Sequence, residues 1–137
     1  MARCPATLPK SAATPAGQSP AANNLAYLLL EHGGNVDVAL SLAQTARRAL
    51  PDAPNTADTM AWAYINKGVY GLAIDLLQEA IKASPSNPTY YYHLGVAYQK
   101  NKDRVHSREQ FEHALQLNPP ESLAVEIRKM MAESSGS

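Results

Sequence analysis

The chain has 137 residues, with 12 basic and 12 acidic side chains that cancel, and 45 % of it is hydrophobic. That balance argues against nucleic acid or an anionic membrane surface as the main partner, since both select a basic surplus. The size suits one globular domain. The lone Cys4 excludes an internal disulfide framework, and no stretch approaches the roughly 18 apolar residues of a spanning helix, so no membrane insertion is expected.

Residues 1–19 come first and are rich in Pro, Ala, Ser and Thr. Such a composition buries too little apolar surface to offset the entropy of ordering it, so it reads as a tail or linker. It has no apolar central region and does not read as a secretory signal. A cytoplasmic location is the default expectation, with an envelope-associated one as the alternative. Ser19 followed by Pro20 is a helix-start signal, a cap side chain ahead of a first-turn proline. It opens a unit over about 20–53, whose turn "EHGGN" (31–35) contains two glycines. A second unit, about 54–87, pairs "NTADTMAWAYINKG" with "YGLAIDLLQEAIKAS". In the latter Leu72, Ala73, Leu76, Leu77, Ala80 and Ile81 form broad apolar faces of helical period. Asn87–Pro88 repeats the start signal for a third unit, about 88–121, in which "RVHSREQFEHALQLN" carries Val105, Phe111, Ala114 and Leu115. "ESLAVEIRKMMAE" (121–133) then sets Leu123, Ile127, Met130 and Met131 against Ser122, Glu126, Lys129 and Glu133. It reads as a capping helix with a polar outer face, closing a domain over 20–134.

These units recur at one spacing. Pro20, Pro54 and Pro88 stand 34 apart, as do Pro51, Pro85 and Pro119, and Ala46, Ala80 and Ala114. Ala39, Ala73 and Ser107 form a fourth series of small residues at the same spacing. A lone amphipathic helix would bury more with leucine. A small residue recurring on the buried face predicts a second helix lying close against it. Strict register sets Tyr27 among the small Ala61 and Gly95. Shifting the first helix by one aligns Ala26 with them and leaves one extra residue in the turn 31–35, where glycine absorbs it at little cost.

Three tandem copies resemble the tetratricopeptide repeat. The second unit shows Met60-Ala61, Tyr64, Gly68, Tyr70, Ala73, Leu77, Ala80 and Pro85; the third shows Tyr91, Leu94-Gly95, Tyr98, Phe111, Ala114 and Pro119. The first shows Leu25-Ala26, Gly34, Ala39, Ala46 and Pro51. Lys102 stands where the third copy lacks the turn glycine, Ser107 replaces an alanine, and Leu29 replaces a tyrosine. The resemblance implies an all-α solenoid of antiparallel helix pairs, about seven helices in a right-handed superhelix, with no strand. Residues 23–54 are also similar to the later repeats of large bacterial tetratricopeptide proteins linked to envelope and polysaccharide-export loci.

No constellation for catalysis emerges, so the chain reads as a non-enzyme without cofactor or metal. His106 and His113 lie two helical turns apart, about 10 Å, too far to share one zinc ion. HExxH, CxxC and phosphate-loop motifs are absent from the sequence. His32 and His93 are expected to be solvated or packed, and Glu31, Asp52, Asp58 and Asp75 to be scattered surface charges. The family resemblance implies that the first helix of each unit lines a concave groove. By register Asn23, Tyr27, Leu30 and Glu31 point there, then Asp58, Trp62, Ile65 and Asn66, then Thr89, Tyr92, Val96, Gln99 and Lys100. Tyr27, Trp62 and Val96 form one column. Trp62 either anchors an apolar side chain of a bound peptide or packs between helices. The family's carboxylate clamp is not matched, because Asn23, Tyr27, Thr59, Thr89 and His93 stand at its places. The expected function is a scaffold binding a protein or peptide in that groove, with self-assembly, or membership of a longer solenoid, as the alternative. The proline-rich tail favours an extended chain and is expected to dock in part on the aromatic column, of its own or a neighbouring molecule.

Overall fold

The computed structural model describes residues 17–136. The tail and its expected docking fall largely on residues outside that range. Among the described residues there are seven helices and no strand: α1 (Gly17–Glu31), α2 (Val36–Ala49), α3 (Pro54–Lys67), α4 (Tyr70–Ala83), α5 (Pro88–Lys100), α6 (Arg104–Gln116) and α7 (Glu121–Gly136). The all-α helical-repeat fold expected from the 34-residue spacing is therefore the fold of the chain. α1 begins two residues ahead of the Ser19–Pro20 signal, so Pro20 falls in its opening turn, a part of a helix that tolerates proline. α3 and α5 do start on their prolines, and the Asn87 side chain accepts a hydrogen bond from the Thr89 amide at 3.0 Å.

α1 packs on α2, α3 on α4 and α5 on α6. α2 then meets α3, and α4 meets α5, which stacks the pairs. The small-residue series sit at these contacts. Ala26, Ala39, Ala46, Ala61, Ala73, Ala80 and Ala114 are wholly buried. Gly95 has no room for a methyl group: a Cβ there would lie 2.5 Å from Phe111 Cε1. Ser107 keeps the small volume of its series and uses its hydroxyl, donating to the Gly95 carbonyl at 2.8 Å. A buried hydroxyl without a partner would cost stability, so that bond is what admits serine in place of alanine. α7 closes the stack on α5 and α6, with Ile127 fully buried and Leu123, Met130 and Met131 against the same core.

The three turns within the pairs show where the extra residue of the first unit went. Two backbone jobs must be done in each. One amide bonds back five residues to end a helix, and one residue caps the next helix. Val69 does both in the second pair, bonding the Tyr64 carbonyl and opening α4; Asp103 does both in the third, bonding the Tyr98 carbonyl and opening α6. In the first pair Gly34 bonds the Leu29 carbonyl and Asn35 caps α2, accepting from the Val38 amide. One job apiece accounts for the insertion, within the turn 31–35 as expected. The residue before the first job is left-handed in all three: Gly33 at φ 73°, Gly68 at φ 88° and Lys102 at φ 69°. Glycine adopts that conformation freely and lysine does not.

Two substitutions probe these contacts from opposite directions. Gly95→Ala drives a methyl into Phe111 and should cost about 1–3 kcal/mol in urea unfolding. Lys102→Gly relieves the left-handed lysine and should add about 1 kcal/mol, less the entropy glycine forfeits on folding. A neutral Gly95→Ala would mean that the helices are not in hard contact there.

Candidate functional site

The first helices of the pairs lie side by side: α1 touches α3, α3 touches α5, and α5 touches α7. Their shared face carries a line of rings. Trp62 of α3 stacks on His93 of α5 at 4.1 Å between centroids and lies 6.2 Å from Tyr92. Tyr27 of α1 lies 6.1 Å from His93. Trp62 also donates its indole hydrogen to Glu31 at 3.1 Å, which ties α3 to the end of α1. The tryptophan packs against two core clusters yet stays partly exposed.

Beneath the rings lies a buried polar pair. Asp58 Oδ1 and His93 Nδ1 are 2.6 Å apart, and both residues are almost wholly buried. The carboxylate holds the proton on Nδ1 and thereby orients the ring. His93 Nε2 is buried without a partner, as is Asn23 Oδ1. Asp58 was expected among scattered surface charges, and that expectation is corrected. Residue 58 faces α5 across the α3–α5 contact, where a carboxylate is tolerated because an imidazole from the next unit meets it.

Beside the pair, α1, α3 and α5 border an open hollow of about 600 Å³, lined by Asn23, Tyr27, Asp58, Thr59, Thr89 and Tyr90 among others. Burial raises the Tyr27 phenol well above its ordinary value, with Glu31 and Asp58 adding to the effect. Tyr92 is pushed up to about 12, chiefly by burial and then by Glu126, Glu31 and Glu133. Tyr90 is raised by burial and by Asp58, against a lowering bond from Asn87. These phenols therefore remain hydrogen-bond donors at neutral pH, in a field of carboxylates.

The register residues divide by depth. Asn23, Tyr27 and Asp58 line the hollow. Trp62 and Tyr92 are partly exposed beside it, and Asn66 and Lys100 are exposed. Asn66 donates to the Trp62 carbonyl at 2.8 Å, and Gln99 donates to the Met130 carbonyl at 2.9 Å, where it fastens α7 to α5. Leu30, Ile65 and Val96 are buried, at 7 %, 3 % and 2 % exposure. Val96 shares its core cluster with Ile127 of the capping helix. The half-exposed row therefore runs Tyr27, Trp62, Tyr92 rather than ending at Val96. Register reasoning missed the Asp58–His93 pair and Tyr90. The signal was present: an aspartate and a histidine 35 residues apart, one more than the repeat, sit in adjacent columns of neighbouring first helices.

Family models described as "TPR repeat" and "Tetratricopeptide repeat" match residues 62–102 and 88–121. The chain belongs to the tetratricopeptide-repeat family. Over 94 residues this tetratricopeptide-repeat chain is 31 % identical to cellulose synthase operon protein C of Escherichia coli K12 and to its putative counterpart in strain O157:H7. The match covers 69 % of the chain but spans only 8 % of the length of those relatives. Among solved structures it is similar to the Yersinia enterocolitica type III secretion translocator chaperone SycD (TM-score 0.74, 16 % identity, covering 87 % of this chain and 92 % of that one). It is also similar to the first repeat domain of Spaghetti (RPAP3) bound to an HSP90 peptide (TM-score 0.70, 18 % identity, 88 % and 95 % covered). It further matches 20 % of a Thermobaculum terrenum O-GlcNAc transferase mutant (TM-score 0.70, 24 % identity, 77 % of this chain). Identities this low establish the shared fold alone.

Removing one partner of the buried pair strands the other. Asp58→Ala should cost about 3–5 kcal/mol of stability. The double variant Asp58→Leu with His93→Leu should cost less than the sum of its two singles, because neither polar group is then left alone. Additive single and double costs in chemical denaturation would mean that the two side chains are not coupled.

Proposed function

We propose that the protein is a non-catalytic interaction module that binds a segment of a partner protein on the face made by α1, α3 and α5. The observation that carries this reading is the row of Tyr27, Trp62 and Tyr92. One partly buried ring comes from each successive first helix, joined through His93, and Tyr27 also lines a hollow. Aromatic side chains that are already held in place lose little entropy on binding and supply large contact areas. The peptide-bound state named for the similar RPAP3 domain supports this use of the fold. The operon named for the Escherichia coli relatives supports a partner among the proteins of cellulose synthesis.

A second reading, stacking against further repeats or a second copy, is favoured by one observation. Leu25 and Leu28 of α1 and Val38 of α2 are each about half exposed at the first pair, the end of the stack opposite α7. The two readings separate in solution. On the first, Trp62 emission shifts when a partner segment binds, and Trp62→Ala weakens binding by about ten-fold or more while the protein stays monomeric in light scattering. A mass that rises with concentration and falls in Leu25→Glu/Val38→Glu, with binding unaffected by Trp62→Ala, would favour the second.

A further inference from the structure

The hollow beside the buried pair has a definite chemical preference. Among the described residues that line it, Asp58 carries the only formal charge, and no lysine, arginine or histidine is present. The other polar lining, apart from the tyrosines, is amide and hydroxyl: Asn23, Asn24, Asn55, Thr59, Asn87 and Thr89. Asn23 is 94 % buried and lines the hollow, and its Oδ1 has no hydrogen-bond partner. An acceptor held out of water without a donor is costly, and a guest donor would relieve it. The Asp58 carboxylate gives one oxygen to His93 and also lines the hollow. Tyr27 and Tyr90 add ring faces to the same walls.

The surroundings have the same sign. Glu31, Glu126 and Glu133 are the carboxylates whose charge bears on Tyr27 or Tyr92 along the adjoining face. An unpaired acceptor, a carboxylate and ring faces are what an ammonium or guanidinium group needs: hydrogen-bond acceptors, an opposite charge and a π surface. An anionic guest would find no cation and no free donor charge.

We infer that the hollow is a pocket for a basic side chain, lysine or arginine, carried by the partner segment that runs along Tyr27, Trp62 and Tyr92. The inference rests on the proposed binding face and specifies its chemistry. The cation sits between Asn23 and Asp58, donating to both, with Tyr27 and Tyr90 beside it. Binding falls with ionic strength, because the attraction is partly long-range.

The test uses three pools of capped nine-residue peptides, identical and randomised over uncharged residues except at the centre, which is arginine, norleucine or glutamate. Each immobilised pool is exposed to the full chain and to two variants. Asn23→Leu removes the amide acceptor at similar volume and leaves the Asp58–His93 pair unaltered, and Asp58→Asn removes the charge; its fold is checked by helical dichroism. The arginine pool should bind about ten-fold tighter than either other pool. That preference should vanish in Asn23→Leu and, if it folds, in Asp58→Asn. Equal or tighter binding of the norleucine or glutamate pool would overturn the cation pocket and leave the binding face standing. An arginine preference that survives Asn23→Leu would place the cation elsewhere and overturn it too. If no pool binds and Trp62 emission never moves, the binding face fails and the pocket fails with it.

Discussion

Everything in this molecule depends on how closely two helices can lie. The wholly buried alanines of the repeat series, a serine and a glycine mark the contacts within and between pairs. Their small volume brings backbones near enough for the larger neighbours, Leu77, Phe111 and Ile127, to fill the spaces alongside. Interiors are packed to crystal-like density, so this closeness is not adjustable in small steps. Gly95 shows the limit, since a single methyl group would meet the Phe111 ring. Because each pair buries only one of its faces, the same contact must recur from unit to unit and must finally be closed by α7.

That constraint was legible in the chain because small residues at a fixed spacing are a one-dimensional record of contacts between successive units. The repeat follows from counting Pro51, Pro85 and Pro119 together with Ala46, Ala80 and Ala114, the inserted turn residue from the misfit of Tyr27 with Ala61 and Gly95, and the capping helix from the apolar and polar faces of residues 121–133. Helix ends were legible where the cap side chain is specific, as at Asn87, and less so at α1, where Gly17 rather than Pro20 opens the helix. The left-handed lysine at 102 was visible as a missing glycine, although its backbone angle was not.

The candidate site was harder to read because it lies across units rather than within one. Register assigns each residue a direction from its own helix, but depth depends on what the next helix brings. Register gives Asp58 a direction from α3, and the only sign that it is covered is His93, 35 residues on in the next first helix. His93, arriving from α5, covers it and supplies the proton that makes burial tolerable. Val96 points along the same column as Tyr27 and Trp62 and is lost to the interior, with the capping helix joining its cluster. A periodic pattern encodes the average unit. The first and third units depart from it, the first by its exposed outer end and the third by its cap.

The departures also explain why the polar features gather at the α1–α3–α5 end of the face. The capping helix takes up the surface of α5 near Gln99, which spends its side chain on the Met130 carbonyl. Tyr27, Asp58 and Tyr90 instead line the hollow of about 600 Å³ between the three first helices. Asp58 lines that hollow, and its contact with the buried His93 holds α3 to α5 with a directional bond. The same pair fixes which way the carboxylate faces. The contact that secures the stacking of these two helices thus also sets the charge of the hollow on the proposed binding face, so the site's chemistry and the fold's register cannot vary independently.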